Sequence, residues 1–206
     1  MTDYKNGIQV KRIDLPTSAV LPVFPLPIFI LSGGMQRLRI FEPRYVSMIA
    51  NTNQTNGFVI AHYDQDKDYL SSDWGAHVQI VDFDQGSDGV LTVDVLATRM
   101  VSLSHFSLQA DNLLVAQTQT LPHWSMAQHG VQVHETRFAS VLKDIFSANY
   151  ELSTLYPTQH FDYAEWVGAR LLEILPLPID DKHQFIHQLD YAQLVALLNS
   201  LIDKHN

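Results

Sequence analysis

Leu21-Pro22-Val23-Phe24-Pro25-Leu26-Pro27-Ile28-Phe29-Ile30-Leu31, then Ser32-Gly33-Gly34, then Met35-Gln36-Arg37-Leu38-Arg39-Ile40-Phe41, then Glu42-Pro43-Arg44-Tyr45-Val46-Ser47-Met48: four local signals follow one another in this stretch. The apolar run at 19–24 carries prolines at one end, which suits an edge or irregular strand rather than a central one. The paired glycines reach backbone angles that other residues avoid and so mark a turn. A second strand is expected over 36–41. Pro43 tolerates the first helical position, and acidic Glu42 favours the positive end of the helix dipole. Tyr45, Met48 and Ile49 then share a face, and the helix is expected to fade through Asn51, Thr52, Asn53 and Asn56 with Gly57 as its stop.

Downstream, 58–63, 77–83, 90–96, 101–108 and 113–121 are rich in strand-forming residues, with polar loops at 64–72 and 84–89. Short strands with one early helix predict a compact barrel or sandwich. Beyond Pro122 the period changes. Phe138, Val141, Leu142, Ile145 and Phe146 recur at helical spacing, as do Tyr163, Trp166, Val167, Leu171, Ile174 and Leu175. Pro176 and Pro178 end the second of these helices, and Asp180 is placed to cap a short third one carrying Phe185, Ile186 and Leu189. Asp190 is placed to cap a last helix with Leu194, Val195, Leu197, Leu198, Leu201 and Ile202. The reading is an α+β chain: a β-rich subdomain over 1–122 and an α-helical bundle over 123–206, with the junction within 122–130.

The 206 residues are 46% hydrophobic, 17% charged and 10% aromatic, a globular composition. Against 13 Lys plus Arg stand 22 Asp plus Glu, for a net charge of -9. Such a surface repels phosphate backbones, and the densest basic group, Arg37, Arg39 and Arg44, falls short of a basic run. Without cysteine there is no disulfide, thiol nucleophile or thiolate metal site. Residues 1–15 mix charges and lack the apolar core of a secretory signal, so a cytoplasmic location is expected. The longest apolar run, 19–31, is short of the roughly 20 residues a bilayer span needs and is broken by prolines.

Candidate chemistry is sparse. Asp64, Asp66 and Asp68 open like a calcium loop, but position six is Tyr69 and position twelve Gly75, so a solvated acidic loop is expected. His183 and His187 stand at helical i, i+4 spacing with no completing ligand. His134-Glu135 lacks the second histidine of a zinc-protease motif because Phe138 occupies that place. Ser140 and Lys143 have the S-x-x-K spacing of some serine acylases without the companion elements, on an ordinary amphipathic helix. No phosphate loop, nucleophile elbow or dinucleotide fingerprint is present. No catalytic residue, cofactor or metal is expected.

The opening stretch nevertheless has an address. Pro22, Phe24, Pro25 and Leu26, the turn ending at Gly34, and Leu38-Arg39-Ile40-Phe41-Glu42-Pro43-Arg44-Tyr45 with Met48 closely resemble the amino-terminal domain of Lon proteases. The resemblance runs more loosely through 75–83, 89–99 with Phe106, and 171–178 to Lys182 and Leu189. It implies a PUA-like β pseudobarrel followed by a carboxy-terminal helical bundle. In full-length Lon this domain precedes an ATPase and a protease, helps to engage substrates and helps to assemble the oligomer.

The implied function is a non-catalytic protein or peptide recognition module. Its partners would be proteins or unfolded peptide segments, with self-association a further option, and neither nucleic acid nor membrane is expected. RNA binding by a PUA-like barrel and a small-ligand pocket are the alternatives. The motif residues Pro22, Phe24, Pro25, Leu26, Gly34, Phe41, Glu42, Pro43, Arg44 and Tyr45 are expected to specify the fold rather than to touch a ligand. Phe41 and Tyr45 should anchor the helix to the sheet, and Arg44 should pair with Glu42 or another carboxylate.

Overall fold

β5 (Leu91–Leu108) is the spine of the structure, a computed structural model that describes residues 18–52, 57–86, 89–126, 136–187 and 189–203. The sequence predicts two strands at 90–96 and 101–108. They are one, because β4 (Ser71–Gln85) pairs antiparallel along it from Leu91 to Ser102 and so carries the strand through Ala97 to Met100. On its other edge β5 takes β2 (Met35–Ile40) through Leu96 and β6 (Leu114–Thr120) from Val101 onward. β3 (Phe58–Tyr63) and β1 (Ser18–Leu26) complete the order β2-β5-β4-β3-β1-β6, and the additional β5–β6 pairing closes the sheet into a pseudobarrel.

β1 shows how a strand accommodates Pro22 and Pro25. Ser18 to Pro22 pair antiparallel with β6, whereas Val23 to Leu26 pair in parallel with β3. The strand changes partner at Pro22, so each half is bonded on one side and neither needs the proline N–H. The expected irregularity is real, but the strand is not an edge. β3 reads as an unbroken apolar run because both its faces are covered. Phe58 and Ile60 join the larger core cluster, while Val59 and Ala61 join the smaller.

α1 (Pro43–Thr52) starts where proline allows, and the Glu42 carbonyl accepts from Tyr45 N and Val46 N, both at 3.0 Å. Tyr45, Met48 and Ile49 are buried. Gly57 adopts φ +89 as a chain-reversing glycine would, while the expected fading at Asn53 and Asn56 lies outside the described residues. Residues 1–15, the junction beyond Met126 and His134-Glu135 also lie outside them.

Helices follow: α2 (Thr136–Ala148), α3 (Tyr150–Leu155), α4 (Ala164–Ile174), α5 (Ile179–His183) and α6 (Ala192–Asp203). α3 has no counterpart in the sequence reading; the Asn149 side chain caps it by accepting from Leu152 N at 3.0 Å. Asp190 caps α6 as expected, accepting from Ala192 N at 2.9 Å. Asp180 does not cap α5: Pro178 takes the cap position and Asp180 lies in the first turn. Leu189 also departs from expectation, being 70% exposed, whereas Phe185 and Ile186 are buried. One core cluster draws on both the barrel (Leu38, Ile60, Val95) and the helices (Phe138, Leu142, Leu172). No helix of the described residues is long and apolar enough to cross a membrane.

His123 joins the end of the barrel to the helices. Its Nδ1 accepts from Ser125 N at 3.1 Å, so the ring proton sits on Nε2 and is donated to the Phe185 carbonyl at 2.8 Å. Burial, opposed by the Phe185 bond, pushes its pKa from 6.5 down to about 4. The unfolded chain therefore binds a proton that the folded chain refuses. Stability is full above about pH 6.5 and falls as pH drops toward 4, by on the order of 3 kcal/mol for this group. Urea midpoints at neutral and acid pH should show the loss, and His123→Gln should have a shallower pH dependence than the unaltered chain.

Candidate functional site

The glycine turn is where barrel and helices meet. Gly33 sits at φ +79, and the Gly34 N–H closes the turn on the Leu31 carbonyl at 2.9 Å. On the barrel side Gly33 N donates to Ala97 O at 2.7 Å and Ala97 N to Gly34 O at 2.8 Å. On the helical side α4 grips the same turn. Trp166 Nε1 donates to Gly33 O at 3.3 Å, and Arg170 Nη2 donates to the Leu31 and Ser32 carbonyls at 3.3 and 3.2 Å. Glu173 Oε1 accepts from Leu31 N at 2.7 Å. A methyl group on Gly34 would stand 2.7 Å from Glu173 Oε1 and 2.9 Å from Leu31 O, which is why this position takes glycine.

Arg170, only 1% exposed, is held by a bidentate pair: Nε to Glu173 Oε2 at 2.7 Å and Nη2 to Oε1 at 2.6 Å. Burial disfavours the charged guanidinium, but Glu173 and Tyr156 together more than offset it and its pKa stays raised. Tyr156 completes the frame by accepting from Met35 N at 2.9 Å, and desolvation pushes its hydroxyl up to about 12. Sequence reasoning passed over Arg170, Trp166 and Tyr156 as partners of the turn. The available signal was a charged pair at i, i+3 inside an otherwise apolar helix.

Beside this frame lies a cavity of about 440 Å³. Ile28, Phe29 and Ile30, which leave β1 and belong to no ladder, form one wall; Leu152, Ile174, Leu177 and Ile179 form the other, with His62 and Lys182 between. Its size falls within the range of ligand sites, about 300–1,000 Å³.

The motif residues are placed unevenly. Phe24 stacks on Tyr45 with ring centroids 3.9 Å apart. Burial of that tyrosine raises its pKa. Arg44 pairs with Glu42 at 2.8 Å, as expected, and also donates to Asn112 O at 3.2 Å. Pro22, Pro25 and Leu26 lie in β1 and Gly34 in the turn. Phe41 corrects the expectation: it is 74% exposed and anchors nothing. Strand alternation explains this, since Leu38 and Ile40 point to the core and the next residue turns outward.

The other candidates do not converge. Ser140 and Lys143 are exposed on α2, the lysine lying 5.4 Å over the Phe161 ring. α5 ends at His183, with the His187 ring 5.8 Å away beyond the helix. Asp64 accepts from Asp66 N at 3.0 Å in a turn of its own. Among the described residues no acidic or histidine cluster is arranged for a metal. Arg37 is engaged bidentately by Asp94 at 2.7 and 2.6 Å, and Arg44 by Glu42, so the charges of Arg37 and Arg44 are countered locally.

The architecture matches solved structures over nearly the whole chain. The crystal structure of the Lon N-terminal domain protein from Xanthomonas campestris superposes with a TM-score of 0.68 at 26% identity, covering 88% of this chain and 98% of that one. The fold is that of a Lon N-terminal domain. The N-terminal domain of the Mycobacterium avium complex Lon protease shares that Lon fold at 11% identity, with a TM-score of 0.60 over 91% of this chain and 100% of that one. Neither a family model nor a curated protein sequence matches the chain. The resemblance carried by residues 21–48 is thus met in three dimensions, and in this chain the motif's glycine turn lies against α4.

Proposed function

We propose that this chain is a non-catalytic recognition module that holds an exposed apolar segment of another polypeptide in the cavity between the β-rich unit (1–122) and the helical unit (123–206). The cavity carries the proposal: its walls are the ladder-free residues Ile28 to Ile30 and the apolar side chains of α3, α4 and α5. Backbone free of strand partners beside apolar pockets is suited to an extended peptide. The Lon N-terminal fold supports the reading, since the domain of that name in the Mycobacterium protein is part of a protease. In the same proposal the motif residues specify the fold, the chain works without a cofactor, and its location is the cytoplasm.

Ile28→Trp, which fills the cavity with its own side chain, tests the idea. Labelled apolar peptides are expected to bind the unaltered chain, polar scrambles of the same peptides are not, and Ile28→Trp should weaken binding about tenfold or more while leaving the melting transition intact. Equal peptide binding by the variant, or salt-dependent RNA binding in place of peptide binding, would count against it.

A further inference from the structure

The cavity wall contains a buried cation. Lys182 is 7% exposed, and its Nζ donates to the Glu173 carbonyl oxygen at 2.9 Å, closing the end of α4. An ammonium group has three donors, and this bond uses one of them. The carboxylate whose field acts on Lys182 is Glu173. That carboxylate is already committed, with both oxygens on Arg170 and Oε1 also taking the Leu31 N–H. Asp180 and Asp181 precede Lys182 on α5 but are exposed and outside the cavity lining, so in the cavity wall two cations face one carboxylate, in a chain whose net charge is -9. Desolvation lowers the Lys182 pKa and Glu173 opposes it, as expected of a cation short of counter-charge. The lining also carries the apolar Ile28, Phe29, Leu177 and Ile179, with Lys182 Nζ 5.7 Å over the Phe29 ring, and the polar His62 and Gln36.

We propose that the cavity takes the carboxy-terminal end of an apolar polypeptide, with its α-carboxylate on Lys182 Nζ and its last side chains among Ile28, Leu177 and Ile179. The inference rests on the peptide-recognition reading and narrows it. An internal segment brings only neutral amides to Lys182, whereas a chain end brings the one charge that the site lacks. The volume, about 440 Å³, admits a chain end and not a folded element.

Titration calorimetry on the unaltered chain separates the sources of such a ligand. The probes are an apolar peptide as its free acid, the same peptide as its carboxy-terminal amide, an apolar peptide blocked at both ends, and decanoate. The free acid is expected to bind about tenfold or more tighter than the amide, as a charge-assisted hydrogen bond implies. In Lys182→Met the acid and the amide should bind alike. Equal binding of acid and amide by the unaltered chain overturns the inference, and binding of the doubly blocked peptide in that case leaves the groove reading standing. Decanoate binding with no peptide binding overturns both, as does no binding at all. The acid–amide comparison needs no substitution, so it holds whatever Lys182→Met does to folding.

Discussion

Glu173→Ala is expected to lower the unfolding free energy by about 3–5 kcal/mol, because it strands a buried guanidinium without its counter-charge. Arg170 has no second carboxylate to turn to: its other bonds are to the Leu31 and Ser32 carbonyls. The same substitution removes the acceptor of Leu31 N, leaving that donor unsatisfied at the joint between barrel and helices. For a chain of this size the melting temperature should fall by on the order of 10 °C. The double change Arg170→Met with Glu173→Gln removes both charges yet keeps an oxygen for Leu31 N. It should be more stable than Glu173→Ala, since exchanging a buried ion pair for neutral groups often costs little. Calorimetric melting of the set decides the matter; a Glu173→Ala chain within about 1 kcal/mol of the original would show that the pair does not hold the turn.

Trp166→Ala should cost a similar amount, about 3–5 kcal/mol, through packing rather than charge. The indole lies at the centre of an aromatic group, with ring centroids 5.6 Å from Phe161, 5.8 Å from Tyr156, 5.9 Å from His160 and 6.1 Å from Phe146. Trp166→Phe keeps a ring there but loses the bond to Gly33 O and part of the indole's volume, for a smaller cost of about 1–2 kcal/mol. Denaturant titration followed by circular dichroism distinguishes the two outcomes. Equal losses from both variants would mean that the hydrogen bond, and not the aromatic packing, dominates.

The parts of this fold that were legible in the sequence are those set by neighbours along the chain. Glu42-Pro43 starts α1 because proline and the cap act within one turn, and the glycine pair turns because φ is a property of the residue itself. The joining of 90–96 and 101–108 into β5 was not legible. Thr98 and Arg99 look like a break, and the pairing with β4, across a bulge that leaves Thr98 without a ladder partner between Ala97 and Arg99, carries the strand through them. α3 escaped because six residues are too few to show a period. Phe41 was misread for another reason: its motif suggested an anchor, while strand alternation from Ile40 sends it outward.

The site was less legible than the fold. Arg170 and the Leu31 carbonyl it holds are 139 residues apart, and no local pattern encodes that distance. The walls of the cavity combine residues from Pro27 to Lys182, which no local pattern brings together. Lys182 entered only as the end of a loose resemblance. Its importance comes from Arg170 having already claimed Glu173, which is a fact of packing.

Amide chemical-shift mapping of the isotope-labelled chain, titrated with an apolar peptide, tests the recognition reading most directly. Shifts are expected at Ile28, Ile30, Met35, Ile174, Leu177 and Lys182, all on the cavity wall, with the exposed apolar residues Val20, Phe83 and Leu108 unmoved. Shifts confined to those exposed residues, or none at any peptide concentration, would contradict a binding site between barrel and helices.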